Sequence, residues 1–245
     1  MVYMNSDNNT YILAYYHIPE NKKNNLQHYH THMPKTFDML TNKNIVFFYE
    51  DENILEYVKS IVKTTHSQFI PILLKLTDLP TYELSKHLLE SCKNQDNEYL
   101  KSMNDHKGIV HYNREYLQSG EDSYRKVISI WTSKILLMEK VILKNPFQSN
   151  TFAWVDVSIS RINMDIRMVS HKVNKINTNQ CWALYMGERI LHSGGIMISD
   201  TNTWKTLIEL YKRKLEEIKD ANYAHDEETI IHLIYKENPH LFCIL

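Results

Sequence analysis

A chain of 245 residues, 43% hydrophobic and 23% charged, is long enough to bury a large core as one domain or as a domain with an appendage. Its 28 basic and 29 acidic residues leave a net charge of -1, so no global field draws it to nucleic acid or to an anionic membrane, and neither is expected as a partner. Cys92, Cys181 and Cys243 are too few and too scattered for a disulfide framework, no stretch approaches the roughly 20 apolar residues of a membrane span, and Met1 to Thr10 lacks the pattern of a signal peptide; a cytoplasmic protein is expected.

Tyr11 to Tyr16 is a continuous apolar and aromatic run, short enough for a buried parallel strand, and a polar loop follows from His17 to Asn25. From His28 to Leu40, Tyr29, Met33, Phe37 and Leu40 recur at helical spacing. Ile45 to Tyr49 reads as a second buried strand. Glu50-Asp51-Glu52 then opens a helix carrying Ile54, Leu55, Val58, Ile61 and Val62, and Phe69 to Leu74 is a candidate third strand. This alternation predicts a mainly parallel sheet covered by helices, the class in which ligands bind beyond the C-terminal ends of strands. It reads as a nucleotide-binding arrangement without a glycine-rich fingerprint.

Thr81 to about Gly120 is more polar and suggests helices joined by loops, among them Asn94 to Asn97 and Asn104 to Gly108. A strong helix follows from Asp122 to Lys144, with Val127, Ile130, Trp131, Met138, Val141 and Ile142 as its apolar stripe and Lys134 inside that stripe. Asn145-Pro146-Phe147 ends the helix, Thr151 to Val155 is the next strand, and Asp156 falls where that strand ends. After a variable stretch come the strand candidates Cys181 to Met186 and His192 to Ile198, the second entered through Gly194-Gly195. Helices from Thr201 to Lys219 and from Asp226 to Lys236 close the fold before Asn238-Pro239, with no internal repeat and no interdomain linker.

An acid at the C-terminal end of a buried strand can hold a metal ion or a ribose oxygen of a nucleotide sugar, or it can simply cap a loop; Asp156 is open to both readings. Lys134 on an apolar face must either snorkel to the surface or find an anion, such as a diphosphate, where its helix meets the sheet. Gly194-Gly195 would let backbone approach a sugar or nucleotide closely, with His192 and Ser193 beside it, or would simply bend the chain into a strand. Asp226-Glu227-Glu228 could supply a general base or complement the dipole of the helix it opens. His28, His30 and His32 look like a metal cluster, but alternate residues on a helix point about 200° apart, so they read as a polar face. No Walker loop, HExxH, GxSxG or CxxC pair is present, which removes several common enzyme classes.

Taken in order, Trp131-Thr132-Ser133-Lys134, Asn145-Pro146-Phe147, Phe152 to Asp156, Gly194-Gly195, Asp226-Glu227-Glu228 and Tyr235 to Phe242 resemble the HtrL/YibB family, and the Tyr11 to Tyr16 strand fits it too. The resemblance implies an α/β, GT-A-like glycosyltransferase fold, a mixed and mainly parallel central sheet flanked by helices. It implies a single domain over 1–245, with a nucleotide-binding half to about residue 158 and an acceptor-binding half from about 159. The expected donor is a nucleoside diphosphate-sugar, a UDP-sugar by preference, and the acceptor a glycan or other hydroxyl.

By the same resemblance Asp156 matches the first acid of the D-x-D motif that holds a divalent metal, Mn²⁺ or Mg²⁺, while Ser158 stands where the second acid is expected. Losing one carboxylate lowers metal affinity, and Lys134 could supply part of the missing positive charge. Tyr15, Lys134, Asp156, Ser158, His192, Gly194 and Gly195 are the implied donor-binding residues. Asp226 and Glu227 are the implied catalytic acids near the acceptor. With the chain ending at Leu245, a C-terminal metal-binding histidine of the usual kind is not expected. The rival from another class is a non-catalytic nucleotide-sugar or glycan-binding protein, motivated by Ser158. A metal-dependent phosphoryl-transfer or hydrolytic enzyme would need several carboxylates converging near Asp156, and Asp165 does not make that case.

Overall fold

In a computed structural model the described residues are 8–21, 25–93, 115–162, 179–185, 192–218 and 226–244. The polar loops read at Asn94 to Asn97 and Asn104 to Gly108 lie outside them, as does Asp165. The described strands form a seven-stranded sheet in the order β3-β2-β1-β4-β6-β5-β7. They are β1 (Asn9–Ala14), β2 (Asn44–Tyr49), β3 (Gln68–Leu73), β4 (Thr151–Val155), β5 (Cys181–Tyr185), β6 (His192–Asp200) and β7 (Phe242–Ile244). The first four pair in parallel, as do β5 and β7, while β6 runs antiparallel between β4 and β5. The fold is therefore mixed α/β with a mostly parallel sheet.

Among the described residues, six helices of 10 residues or more flank it: α1 (Leu26–Met39), α2 (Glu52–Thr65), α3 (Leu84–Lys93), α4 (Glu121–Lys144), α5 (Thr201–Ile218) and α6 (Glu227–Glu237). Their limits follow from local chemistry. Asp51 accepts from the Asn53 amide at 2.8 Å to start α2, and His66 closes it in a left-handed conformation at φ 54. Asn145 ends α4 in the same left-handed region, one residue before Pro146.

Strand alternation divides the core into two layers. Tyr11, Leu13, Phe47, Ala153 and Val155 face α1 and α2, where Met33, Phe37, Leu55 and Val58 meet them. Ile12, Val46, Phe48, Phe152 and Trp154 face the other way, onto Val127, Ile135 and Met138 of α4, Trp204 of α5 and Ile230 of α6. Sheets buried on both faces give the continuous apolar runs that mark β1 and β2 in the sequence.

Two details differ from the sequence reading. The first strand stops at Ala14, so Tyr15 and Tyr16 lie beyond it, although the Tyr15 amide still donates to the Phe48 carbonyl at 3.0 Å. β7 has only three residues, too few for any alternation, and the sequence reading missed it. As the helical spacing predicts, the three histidines of α1 do not converge: His30 lies against Tyr57, while His28 and His32, a turn apart, have ring centroids 4.7 Å apart.

Candidate active site

Asp156 follows β4 directly, and its amide donates to the Gly195 carbonyl at 2.8 Å, which fixes it to the neighbouring strand. Its side chain continues the parity of Phe152 and Trp154 and so points to the α4 side of the sheet. There Oδ1 accepts from Lys134 Nζ at 2.9 Å and from Trp154 Nε1 at 3.0 Å. Lys134, in the middle of α4, also donates to Glu227 Oε1 at 2.6 Å and to the Gly194 carbonyl at 3.3 Å. The Lys134 and Glu227 side chains are only 7% and 6% exposed, against 20% for Asp156, so the cluster opens to solvent on the aspartate side.

Of the two outcomes the sequence left for Lys134, the anion prevails, and that anion comes from the protein itself. Burial alone would pull its ammonium down, but the Asp156 and Glu227 carboxylates outweigh that and hold it above its ordinary range. Burial pushes the Glu227 carboxyl up, against the opposing pull of Lys134. The two carboxylates together carry more charge than the single ammonium between them.

The first turn of α6 explains the glycines. Asp226 is its N-cap, accepting from the Thr229 amide at 2.7 Å, Glu227 enters the cluster, and Glu228 Oε1 accepts from the Gly194 amide at 3.0 Å. A Cβ built on Gly194 would lie 2.6 Å from Glu227 Oε1 and 2.8 Å from its Cγ, so the close approach at this glycine is that of the protein's own glutamate. A Cβ on Gly195 would lie 3.0 Å from Ile159 Cδ1 and 3.1 Å from Ser193 Oγ. Gly194→Ala is expected to cost about 1–3 kcal/mol by overpacking. Urea denaturation measures it, and an alanine variant as stable as the parent would refute the contact.

Ser158 sits in the turn after Asp156, buried, with its Oγ accepting from Arg161 Nη1 at 2.7 Å. The same Nη1 donates to the Ser158 carbonyl at 3.2 Å, and Arg161 Nη2 lies 3.7 Å from Asp156 Oδ2. Arg161 was absent from the residues singled out by sequence; the available signal was a lone cation five residues after the strand-end acid. Among the described residues no group of three or more His, Cys, Asp and Glu side chains is placed to hold a metal ion.

Beside this cluster, beyond β1, a pocket is lined by Ala14, Tyr15, Tyr16, Tyr29 and, from α4, Ile130 and Trp131. Ile12 of β1 pairs with Trp154 of β4, so the residues two positions on, Ala14 and Asp156, stand level at the same end of the sheet. The Tyr15 and Tyr16 hydroxyls are buried and make no hydrogen bond among the described residues, and burial raises the pKa of both phenols. Tyr15 also stacks obliquely on Tyr29, with ring centroids 4.3 Å apart. Of the donor-binding residues expected from sequence, Lys134, Asp156, Ser158, Gly194 and Gly195 come together at one place and Tyr15 at the adjoining pocket. The backbone of His192 pairs with Tyr185, and its side chain lies outside the described part of the chain.

Residues 157–245 match the family described as "Bacterial protein of unknown function (HtrL_YibB)", the family that the sequence resembles. No curated protein matches the chain. Among solved structures, the apo form of mouse xyloside xylosyltransferase 1 is similar at a TM-score of 0.54 and 10% identity, over 97% of this chain and 85% of that one. The apo form of glycosyltransferase GlyE from Streptococcus pneumoniae TIGR4 aligns at a TM-score of 0.45 and 8% identity, over 97% of this chain and 44% of that one. The chain thus has a glycosyltransferase-like fold. Among the described residues no helix is long and apolar enough to cross a membrane.

Proposed function

We propose that the protein transfers a sugar from a nucleoside diphosphate-sugar to a glycan or other hydroxyl acceptor. One observation carries the reading: an aromatic pocket and a lysine-bridged pair of carboxylates adjoin at the C-terminal ends of β1 and β4. A nucleobase has an apolar face for Tyr15, Tyr29 and Trp131. The open side of Asp156 can accept hydrogen bonds from sugar hydroxyls, with Lys134 holding the carboxylate still.

Asp226 and Glu227 take different parts from the general bases expected by resemblance. Asp226 caps α6, and Glu227 is clamped to Lys134 away from solvent, so both act on the site by positioning it. The acceptor hydroxyl then loses its proton to another base or to water as its oxygen bonds the anomeric carbon, while the diphosphate oxygen leaves with the electron pair of the broken bond.

Incubating the protein with a panel of nucleotide sugars, UDP-sugars first, and with glycan acceptors tests the reading. Transferred sugar and free nucleoside diphosphate in equal amounts are expected. Tight donor binding with no transfer or hydrolysis would overturn it in favour of a non-catalytic binding protein, the reading that Ser158 in place of an acid suggests.

A further inference from the structure

The donor site just proposed must accommodate a diphosphate, yet Lys134 is already enclosed by two carboxylates. A divalent ion would be the ordinary remedy, and the described residues do not fit one. Mg²⁺ and Mn²⁺ require several oxygen ligands in regular geometry. Here Asp156 offers one oxygen to Lys134 and Trp154 and turns the other toward Arg161, 3.7 Å away. Ser158, at the second position of the motif, has its hydroxyl engaged by Arg161 at 2.7 Å. A divalent ion at Asp156 Oδ2 would stand beside a guanidinium, a repulsion of like charges in a partly desolvated place.

Arg161 itself supplies what the ion would. Nη1 is used on Ser158, whereas Nε and Nη2 donate no hydrogen bond among the described residues, and the side chain is 39% exposed at the mouth of the cluster. An arginine fork with its Nε and Nη2 donors available matches the spacing of two phosphate oxygens. Resting on the donor-site reading above, we infer that Arg161, oriented by Ser158 and Asp156, holds the diphosphate of the donor in place of a divalent metal ion. Ser158 is then a functional substitution: a hydroxyl orients the guanidinium through a hydrogen bond where an acid would have paired with it. As the glycosidic bond breaks, the charge gathering on the leaving diphosphate oxygen faces this guanidinium.

Calorimetric titration of the full chain with UDP and with GDP, in EDTA and again in Mn²⁺, tests the inference. Binding is expected in EDTA and little changed by Mn²⁺. Arg161→Ala should weaken it by roughly 10- to 100-fold, the scale of charge-assisted hydrogen bonds, and Arg161→Lys should restore only part because a point charge lacks the fork. A second measurement uses Mn²⁺ alone: its free electron paramagnetic signal should persist with the parent protein and fall with the Ser158→Asp, Arg161→Ala double variant. Nucleotide binding that disappears in EDTA and returns with Mn²⁺ overturns the inference and leaves the glycosyl-transfer reading standing, as does an Arg161→Ala variant that binds like the parent. Absence of binding under both conditions overturns the donor site and this inference with it.

Discussion

Lys134→Met is expected to destabilise the protein by about 3–5 kcal/mol, the usual penalty for removing one partner of a buried ion pair. Methionine fits the space well enough, so the cost is electrostatic: Asp156 and Glu227 would face each other across a water-poor site with no cation between them. Burial already pushes the Glu227 carboxyl up, and without the ammonium it would take up a proton at higher pH still. The loss should therefore shrink in mildly acidic buffer, where the protonated carboxyl is tolerated, and grow toward neutral pH. Urea denaturation at several pH values reads both effects. Glu227→Gln added to Lys134→Met should recover part of the loss, since one buried charge goes with the cation. A single variant within about 1 kcal/mol of the parent at neutral pH would mean that water reaches the cluster freely.

Asp156→Asn is expected to lower sugar transfer by on the order of 10- to 100-fold, which corresponds to the loss of about 1.5–3 kcal/mol of charge-assisted bonding in the transition state. The amide keeps the shape and one acceptor oxygen but no longer attracts Lys134 and Arg161, so both cations lose their orientation. Because Asp156 is partly exposed, the fold should tolerate the change better than it tolerates Lys134→Met. Steady-state kinetics on the folded variant, with thermal melting as the control, decides the matter: full activity would remove Asp156 from the site.

Much of the framework was legible because it is written in periodicity. The β1 and β2 runs are buried on both faces, and α4 carries an apolar stripe interrupted by Lys134, so each appears as a pattern in sequence. Asp156 was legible for the same reason, since its position at a strand end follows from where the apolar run stops. The partners of Lys134 were not. Glu227 lies 93 positions away in the chain, and only the pairing of β4 with β6 and the seating of α6 on β6 bring it in.

The glycines show a subtler failure. Sequence leaves Gly194-Gly195 open between a close approach and a simple bend, and it cannot say which group approaches: at Gly194 it is Glu227, at Gly195 Ile159 and Ser193. Arg161 escaped notice because a single cation in a polar turn resembles any other surface residue until its guanidinium is seen on Ser158. Asp226 illustrates the converse: an acid heading a helix is ambiguous in sequence, and its hydrogen bond to the Thr229 amide gives it a capping role.

Trp131, at the pocket, and Lys134, at the acid cluster, are three residues apart on α4. An α-helix sets their separation along its axis at about 4.5 Å. The Tyr211 hydroxyl donating to the Thr132 carbonyl and the Thr81 hydroxyl at Ser129, Thr132 and Ser133 clamp that same turn from both sides. On the proposed donor-site reading, the helix works as a ruler of fixed pitch between the two ends of a bound molecule. A related chain can alter what is recognised at either mark by exchanging side chains, but the distance between the marks changes only if the helix itself is broken.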